Sequence, residues 1–497
     1  MAQSATSYLS RAARQPVKWQ PWGRDAFILA TKLDRPVLLY VGGDSCRWCV
    51  ETDRAIYSDP EIGTMINTLF VPIRVDRDER PEIAQRYQSA VERLAGLRGW
   101  PLTVFLTTDG APFFGGTYFP ADDPVTGRGM KQLLPEVARS YHDQHAVIVQ
   151  RAELIRRLML SEGEGSADRA VLRPAFIQSA VIGVRDALAA AVENRSVTGS
   201  VVSAAAVSLL LSASARARDS LSLAIARRAL YLMLDTSAAN AGEAPPRLVR
   251  AALVGVLAQA WVVTGDRQFR EAGRALMHAV ARDLRFSGAG LEPAGVFADQ
   301  EGYVIDAVLL AAATLGDAGA EERAQSALDG LLQRAYARGW GVRHSVGAVP
   351  RIPTAITARG LLQDQVQVAS ACLAAHQITG ERRYLDVAID LVALLDRSYA
   401  DSLGGYFDTA APTPPASLAD VATPAFADRT KHALDDLLPG PNAVAAQVLS
   451  RLAQVTGNTS YRRSAEATLE AFAASVPGNG LRAATFLSAA RETLVNP

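Results

Sequence analysis

Hydrophobic and polar positions change rhythm about a third of the way along this 497-residue chain. Up to about residue 160, short apolar runs bounded by Pro and Gly alternate with amphipathic stretches. After a first amphipathic helix over about 23–33, "PVLLYVG" (36–42) reads as a buried strand. A helix then starts near Cys46 and reaches about Tyr57. "LFVPIRVD" (69–76) predicts the next strand, and Pro81 opens a helix through about Leu94. "LTVFL" (102–106) and "PFFGGTYF" (112–119) flank "TTDGA", whose Asp-Gly pair predicts a hairpin. Residues 130–160 close the region with helical periodicity and a predicted break at Pro135. The polar stretch 161–172 predicts a linker.

From residue 173 onward the period is helical and strand signals nearly vanish. A loose unit recurs, in which a helix ends on Gly and a second opens on an aromatic. It reads "AWVVTGDRQFREAG" (260–273), "AHQITGERRYLDVA" (375–388) and "AQVTGNTSYRRSA" (453–465), with a weaker copy in "AAATLGDAGAEERAQ" (311–325). Helical hairpins repeated in this way predict stacked pairs, as an open solenoid or a closed α/α toroid. The first 160 residues follow the order β-α-β-α-β-β-α, which is that of a thioredoxin fold. The expected architecture is therefore multidomain: a thioredoxin-like α/β domain over 1–160, the linker 161–172 and an all-α domain over 173–497. Residues 408–442 are too long for a passive turn and predict a lid or rim loop.

Composition narrows the function. Basic and acidic residues balance at 51 each, so no net field attracts nucleic acid or an anionic membrane. The N-terminus lacks the apolar core of a secretory signal, and windows such as "VIDAVLLAAATLG" are too short and interrupted to span a bilayer. Three cysteines cannot form a disulfide framework, which points to the reducing cytoplasm. Neither a nucleic-acid nor a membrane partner is expected.

The chemistry centres on "DSCRWC", residues 44–49. Cys46 sits at a strand-to-helix junction, where free N–H groups favour thiolate over thiol, and Arg47 adds a cation. Cys49, one turn on, is placed to attack a mixed disulfide formed at Cys46. Trp48 offers a flat apolar contact to a partner, and Pro101 stands just before the third strand, where a cis proline lies beside the redox pair in thioredoxin folds. Inert packing is the bland alternative. Zinc is a third, and it needs further ligands that the sequence does not supply nearby. No metal and no cofactor are expected.

"RQPVKWQPWGRDAFILATKLDRPVLLYVGGDSCRWC", with "VDRDERPEIAQRYQ" and "GLRGWPLTVFLTTDGAPFFGGTYFP", resembles the DUF255 family. Its members are the thioredoxin-like N-terminal domains of the spermatogenesis-associated protein 20 (YyaL-type) proteins. The resemblance covers about residues 7–160 and implies a following six-hairpin (α/α)6-type toroid, like those of sugar epimerases and glycosidases. This chain departs from the family where Arg47 stands in place of a histidine between the cysteines. Arg11 and Arg14 likewise occupy the stretch where the family carries histidines. Dithiol exchange survives that comparison better than any histidine-dependent activity.

In the helical domain, Asp299, Glu301, Asp364, Asp408, His344 and His432 are the candidates for a toroid mouth, where epimerase-like proteins use histidines and glycosidase-like ones a carboxylate pair. Three functions follow. The first is thiol–disulfide exchange at Cys46 and Cys49, with protein thiols or disulfides as partners and the helical domain selecting them. The second is a carbohydrate-active toroid acting on a small molecule such as a sugar, supported by a pocket joining those carboxylates to Trp340 and Tyr406. The third is a non-catalytic interaction protein.

Overall fold

The computed structural model describes residues 6–123, 125–126, 128–163, 172–217, 219–239, 246–286, 295–346, 360–411, 428–475 and 478–495. The N-terminal elements are α1 (Ser7–Ala12), β1 (Gln20–Pro21), α2 (Arg24–Leu33), β2 (Val37–Gly42), α3 (Arg47–Thr52), α4 (Pro60–Leu69), β3 (Val71–Asp76), α5 (Pro81–Ala95), β4 (Leu102–Leu106), β5 (Pro112–Gly116), α6 (Met130–Asp143) and α7 (His145–Gly163). A π-helical turn, Asp53–Tyr57, continues α3.

The strands form one sheet in the order β1-β3-β2-β4-β5. β2 runs parallel to β3, and β4 antiparallel to both β2 and β5. This is the thioredoxin arrangement. β2, β3 and β4 are buried along their whole length, which explains why they read as unbroken apolar runs. Alternate positions feed two cores: Leu38, Tyr40 and Phe105 meet residues of α1, α4 and α6 on one face. Val37, Leu39, Val104 and Ile73 meet α2, α5 and α7 on the other.

Several local expectations are corrected. α1, β1 and α4 were not anticipated. α4 is set by Asp59, whose carboxylate accepts the N–H groups of Glu61 and Ile62, and by Pro60 at its first position. No break occurs at Pro135. Proline there removes one hydrogen bond, while Leu133, Leu134, Val137, Ala138 and Tyr141 keep the helix face buried; the chain turns at Gln144 instead. The strand predicted to reach 119 ends at Gly116. The predicted linker falls largely on 164–171, outside the described residues, and its first three residues belong to α7.

The second domain comprises α8 (Pro174–Glu193), α9 (Val201–Ala217), α10 (Ser220–Ala239), α11 (Arg247–Thr264), α12 (Arg267–Arg282), α13 (Ala298–Leu315), α14 (Ala318–Ala335), a small hairpin β6 (Tyr336–Ala337) and β7 (Gly341–Val342), α15 (Leu362–Thr379), α16 (Arg382–Ser398), α17 (Pro441–Thr456), α18 (Thr459–Glu470) and α19 (Ala484–Val495). Contacts run α9–α11–α13–α15–α17–α19 and return from α19 to α9. The inner ring is thus closed, and the solenoid alternative is excluded. Each inner helix carries one outer partner: α10, α12, α14, α16 and α18 in sequence, with α8 closing on α19. That is an (α/α)6 toroid.

The recurring turn has a physical cause. Gly265, Gly316, Gly380 and Gly457 end inner helices with φ between 68° and 73°, each N–H returning to the helix's last turn. The next residue caps the outer helix: Asp266, Asp317 and Asn458 accept backbone N–H groups from it. By length and composition α8 and α11 could cross a bilayer, against the expectation that no window suffices. Both are members of the toroid, and α11 buries Ala251, Val254, Leu257 and Ala258 within it.

Candidate functional site

Two sets of candidate residues lie at helix N-termini, one in each domain. Cys46 is the N-cap of α3, and its Sγ accepts the Cys49 N–H at 3.1 Å. The two cysteines form a disulfide. Cys46 is the outer partner at 7% exposure, and Cys49 has none. Trp48 is 59% exposed and leans on Tyr118, ring centres 5.6 Å apart. The two rings form an exposed apolar collar beside the disulfide. Arg47 is exposed and Pro101 buried. The Trp100–Pro101 peptide is cis. Arg77 joins the two loops, donating to Ser45 Oγ at 2.8 Å and covering the Trp100 ring at 5.3 Å.

Beneath Cys49 lies a buried polar layer. Tyr40 Oη donates to the Cys49 carbonyl at 3.4 Å. Arg74, 1% exposed, forms a two-pronged ion pair with Asp53 at 2.6 and 2.7 Å and covers the Tyr8 ring at 4.0 Å. A Cβ on Gly42 would lie 2.5 Å from Tyr8 Oη and 2.8 Å from Cys49 Sγ, so only glycine lets that hydroxyl and sulfur approach over the strand end. Burial raises the Tyr8 and Tyr40 hydroxyls well above their ordinary pKa, which keeps both neutral. Arg74 is the one cation inside "LFVPIRVD"; its partners are not legible there. Arg11, which replaces a family histidine, pairs with Asp44, two residues before Cys46.

The second site is the toroid mouth, where the N-termini of α11, α13, α15 and α17 gather. The thioredoxin-like domain caps it. His344, two residues past β7, has Nδ1 2.8 Å from Asp364 Oδ1 and donates through Nε2 to the Asp78 carbonyl at 2.9 Å. Asp364 also accepts the N–H groups of Asp299 (3.0 Å) and Leu361 (2.6 Å). Phe297 stacks on the imidazole, centroids 4.9 Å apart, and Gln300 donates to the Asp78 carboxylate at 3.3 Å. Burial alone would lower the imidazole pKa, but the Asp364 and Asp299 carboxylates outweigh it and raise it to about 10. Burial pushes the Asp299 carboxyl up, with the Asp364 charge adding and His344 opposing.

Among the described residues, ligand atoms of Asp299, His344 and Asp364 all lie within 4.8 Å of one another. Both imidazole nitrogens and both Asp364 oxygens have partners, and Asp299 Oδ1 accepts the Gln300 N–H at 2.8 Å. The cluster is a buried ionic clasp between domains.

The remaining mouth candidates separate. Glu301 forms a two-pronged pair with Arg247, tying α13 to α11. Asp408 accepts from Thr430 at 2.9 Å and from His432 Nδ1. The His432 ring faces a 540 Å³ cleft between α5 and the toroid rim, lined also by Arg86, Arg98, Lys431 and Arg482. Trp340 is exposed on its hairpin, whereas Tyr406 is buried and donates to Asp396 at 3.0 Å, so the pocket joining them to the carboxylates is not formed. Of the expected lid, 412–427 lie outside the described residues. Asp428 forms a two-pronged pair with Arg156 of α7 at 2.6 and 2.7 Å, and its carbonyl accepts from Arg86 of α5 at 2.6 Å. That end of the segment bolts the domains together.

The family model described as "Protein of unknown function, DUF255" matches residues 1–159. The N-terminal domain belongs to the DUF255 family. It is 34% identical over 167 residues to spermatogenesis-associated protein 20 of Rattus norvegicus and, over the same length, of Homo sapiens; each match takes in 34% of this chain and 21% of the relative. The aligned part thus spans about a fifth of those DUF255 relatives. Among solved structures, a D-mannose isomerase is similar at 10% identity and a TM-score of 0.45, covering 60% of this chain and 88% of that one. An unsaturated glucuronyl hydrolase specific for heparin gives 13% and 0.44, covering 61% and 85%. The closed ring described above rests on the helix contacts themselves.

Proposed function

We propose that this DUF255 protein is a thiol–disulfide oxidoreductase, with Cys46 as the attacking and Cys49 as the resolving sulfur. The carrying observation is the position of Cys46 at the helix N-cap, its Sγ already accepting a backbone N–H. When the pair is reduced, the same N–H and the helix end stabilise a thiolate at that sulfur. The thiolate attacks one sulfur of a partner disulfide, forming a mixed disulfide and expelling the partner's other sulfur as thiolate. Cys49 then attacks Cys46 Sγ, breaking the mixed disulfide and releasing the second partner thiolate. Two electrons pass from the dithiol to the partner, whose two thiolates take up two protons. The same steps in reverse oxidise a partner dithiol.

The apolar collar of Trp48 and Tyr118 favours a protein partner. The test is reduction of insulin disulfides with dithiothreitol as the electron source. Wild type is expected to accelerate the reaction, Cys46→Ser to abolish the acceleration, and Cys49→Ser to accumulate the mixed disulfide. A wild-type rate equal to dithiothreitol alone, or undiminished turnover in Cys46→Ser, would overturn the proposal.

A second reading, acid–base chemistry on a carbohydrate, draws support from His432, which lines the 540 Å³ cleft and pairs behind it with Asp408. It draws none from the mouth itself, where Asp299, His344 and Asp364 are committed to one another. A thermal-shift screen with mono- and oligosaccharides tests it; the expected result is no shift that depends on His432.

A further inference from the structure

The toroid's inner ring encloses a bore of about 500 Å³, lined by residues from all six inner helices. This volume lies within the range of about 300–1,000 Å³ typical of small-molecule sites. The clasp and the thioredoxin-like domain cover one end. The opposite end opens between Val262 and Leu310, which line the bore and are 67% and 42% exposed.

Small side chains keep the bore empty, and by themselves they specify no ligand. The polar groups inside it do. Gln367 is 2% exposed, and its amide Nε2 has no hydrogen-bond partner among the described residues. Asp306 Oδ1 is likewise buried and without one. Its other oxygen accepts from Ser370 Oγ at 2.9 Å, one helical turn beyond Gln367 on the same face of α15. Both residues line the bore, so its wall contains one buried donor and one buried acceptor without partners among the described residues. Leaving two such groups unmet costs stability, and a ligand that meets both recovers it.

The lining also selects charge. It holds the carboxylates of Asp306 and Glu492 and no Lys, Arg or His among the described residues. Arg451 approaches only from behind, donating to Ser370 Oγ at 3.1 Å and to Gln377. Anions are disfavoured there, while an ammonium would satisfy Asp306.

We propose that the bore is a binding site for a small aliphatic or aromatic amine, its ammonium on Asp306, an acceptor group toward Gln367 and its hydrocarbon against the apolar wall. The site is independent of the disulfide chemistry proposed above. Asp306 is pushed up in pKa by burial, opposed by Arg451 and the Ser370 hydroxyl, so docking an ammonium there also draws the group toward its charged form.

The full chain is titrated calorimetrically with three near-isosteric probes: 4-methoxyphenethylamine, 2-(4-methoxyphenyl)ethanol and 3-(4-methoxyphenyl)propanoate. The amine is expected to bind, the alcohol more weakly and the acid not at all. Asp306→Asn should weaken the amine by about tenfold or more, as for loss of a charged hydrogen bond. A second variant guards against misfolding. Gly255 lines the bore, and a Cβ there meets nothing within 4 Å, so Gly255→Leu fills the space without a clash. It should raise the melting temperature, since glycine is a poor helix residue, while abolishing binding. Failure of the amine to bind, alcohol or acid binding as tight as the amine, or amine binding undiminished in Gly255→Leu would overturn the proposal.

Discussion

The tip of α3 and the mouth of the toroid use the same physics to opposite ends. Both gather polar side chains at helix N-termini, and both are nearly shut off from solvent. At the mouth, Asp364 accepts two backbone N–H groups and pairs with His344, which in turn holds the Asp78 carbonyl. One imidazole there stands against two carboxylates, Asp364 and Asp299. At α3 the Cys49 N–H is shared between the Cys46 carbonyl at 3.0 Å and the Cys46 sulfur at 3.1 Å, and the groups beneath, Tyr8, Tyr40 and the Arg74–Asp53 pair, balance one another. A cluster whose groups are paired with one another holds structure together. One that leaves a nucleophile at its edge is equipped for exchange. Residue types alone do not distinguish the two.

The largest effect expected from this contrast is at the clasp. His344→Ala leaves Asp364 buried without its cation, and loss of one member of a buried pair costs about 3–5 kcal/mol. Urea unfolding should register that loss, while disulfide exchange per folded molecule stays near wild type. The pH dependence has a definite sign. His344 has a folded pKa raised to about 10 against an unfolded value of about 6.5. Its contribution is therefore complete below about pH 6.5 and is lost as pH rises toward 10. The raised Asp299 carboxyl acts in the same direction at lower pH. Wild-type stability should fall across that window, and His344→Ala should flatten the fall.

A smaller effect is expected where the two sites differ in packing. Gly42→Ala forces a methyl against Tyr8 Oη and Cys49 Sγ, an overpacking cost of about 1–3 kcal/mol. Here stability and exchange should suffer together, because the displaced atom is the resolving sulfur. Unchanged exchange in a destabilised Gly42→Ala would show that the Tyr8–Cys49 approach has no part in the chemistry. The smallest effect belongs to the collar. Trp48→Ala should slow exchange with insulin by a factor of a few, about 1 kcal/mol of lost apolar contact, and leave exchange with a small aromatic disulfide unaffected. Equal slowing with both substrates would remove the collar from partner recognition.

What could be read in the sequence followed from local signals. β2 and β4 appear as apolar runs because they are covered on both faces, and Gly265, Gly380 and Gly457 marked hairpin turns that only a left-handed residue closes. α4 was not anticipated, although Asp59 and Pro60 are an ordinary helix start. The position of Cys46 was legible because a strand end, a helix start and the cysteine are contiguous. The clasp was not: His344 and Asp78 stand 266 residues apart, and nothing local in "GVRHSVG" indicates that its histidine reaches into another domain. Asp299, Asp364 and His344 were expected at one mouth and lie within 4.8 Å of one another, yet whether they are free or mutually paired depends on a docking surface that no periodicity encodes. The same applies to the bore, whose emptiness is a property of six helices together.

The most direct test is the thiol pKa of Cys46 in the reduced protein, read from the pH dependence of its alkylation by iodoacetamide with Cys49→Ser as background. A helix-capping thiolate predicts a value well below the free-thiol range of about 8.5, near 7 or lower. A value at or above 8.5 would mean that the helix end does not activate this sulfur, and the oxidoreductase assignment would be contradicted.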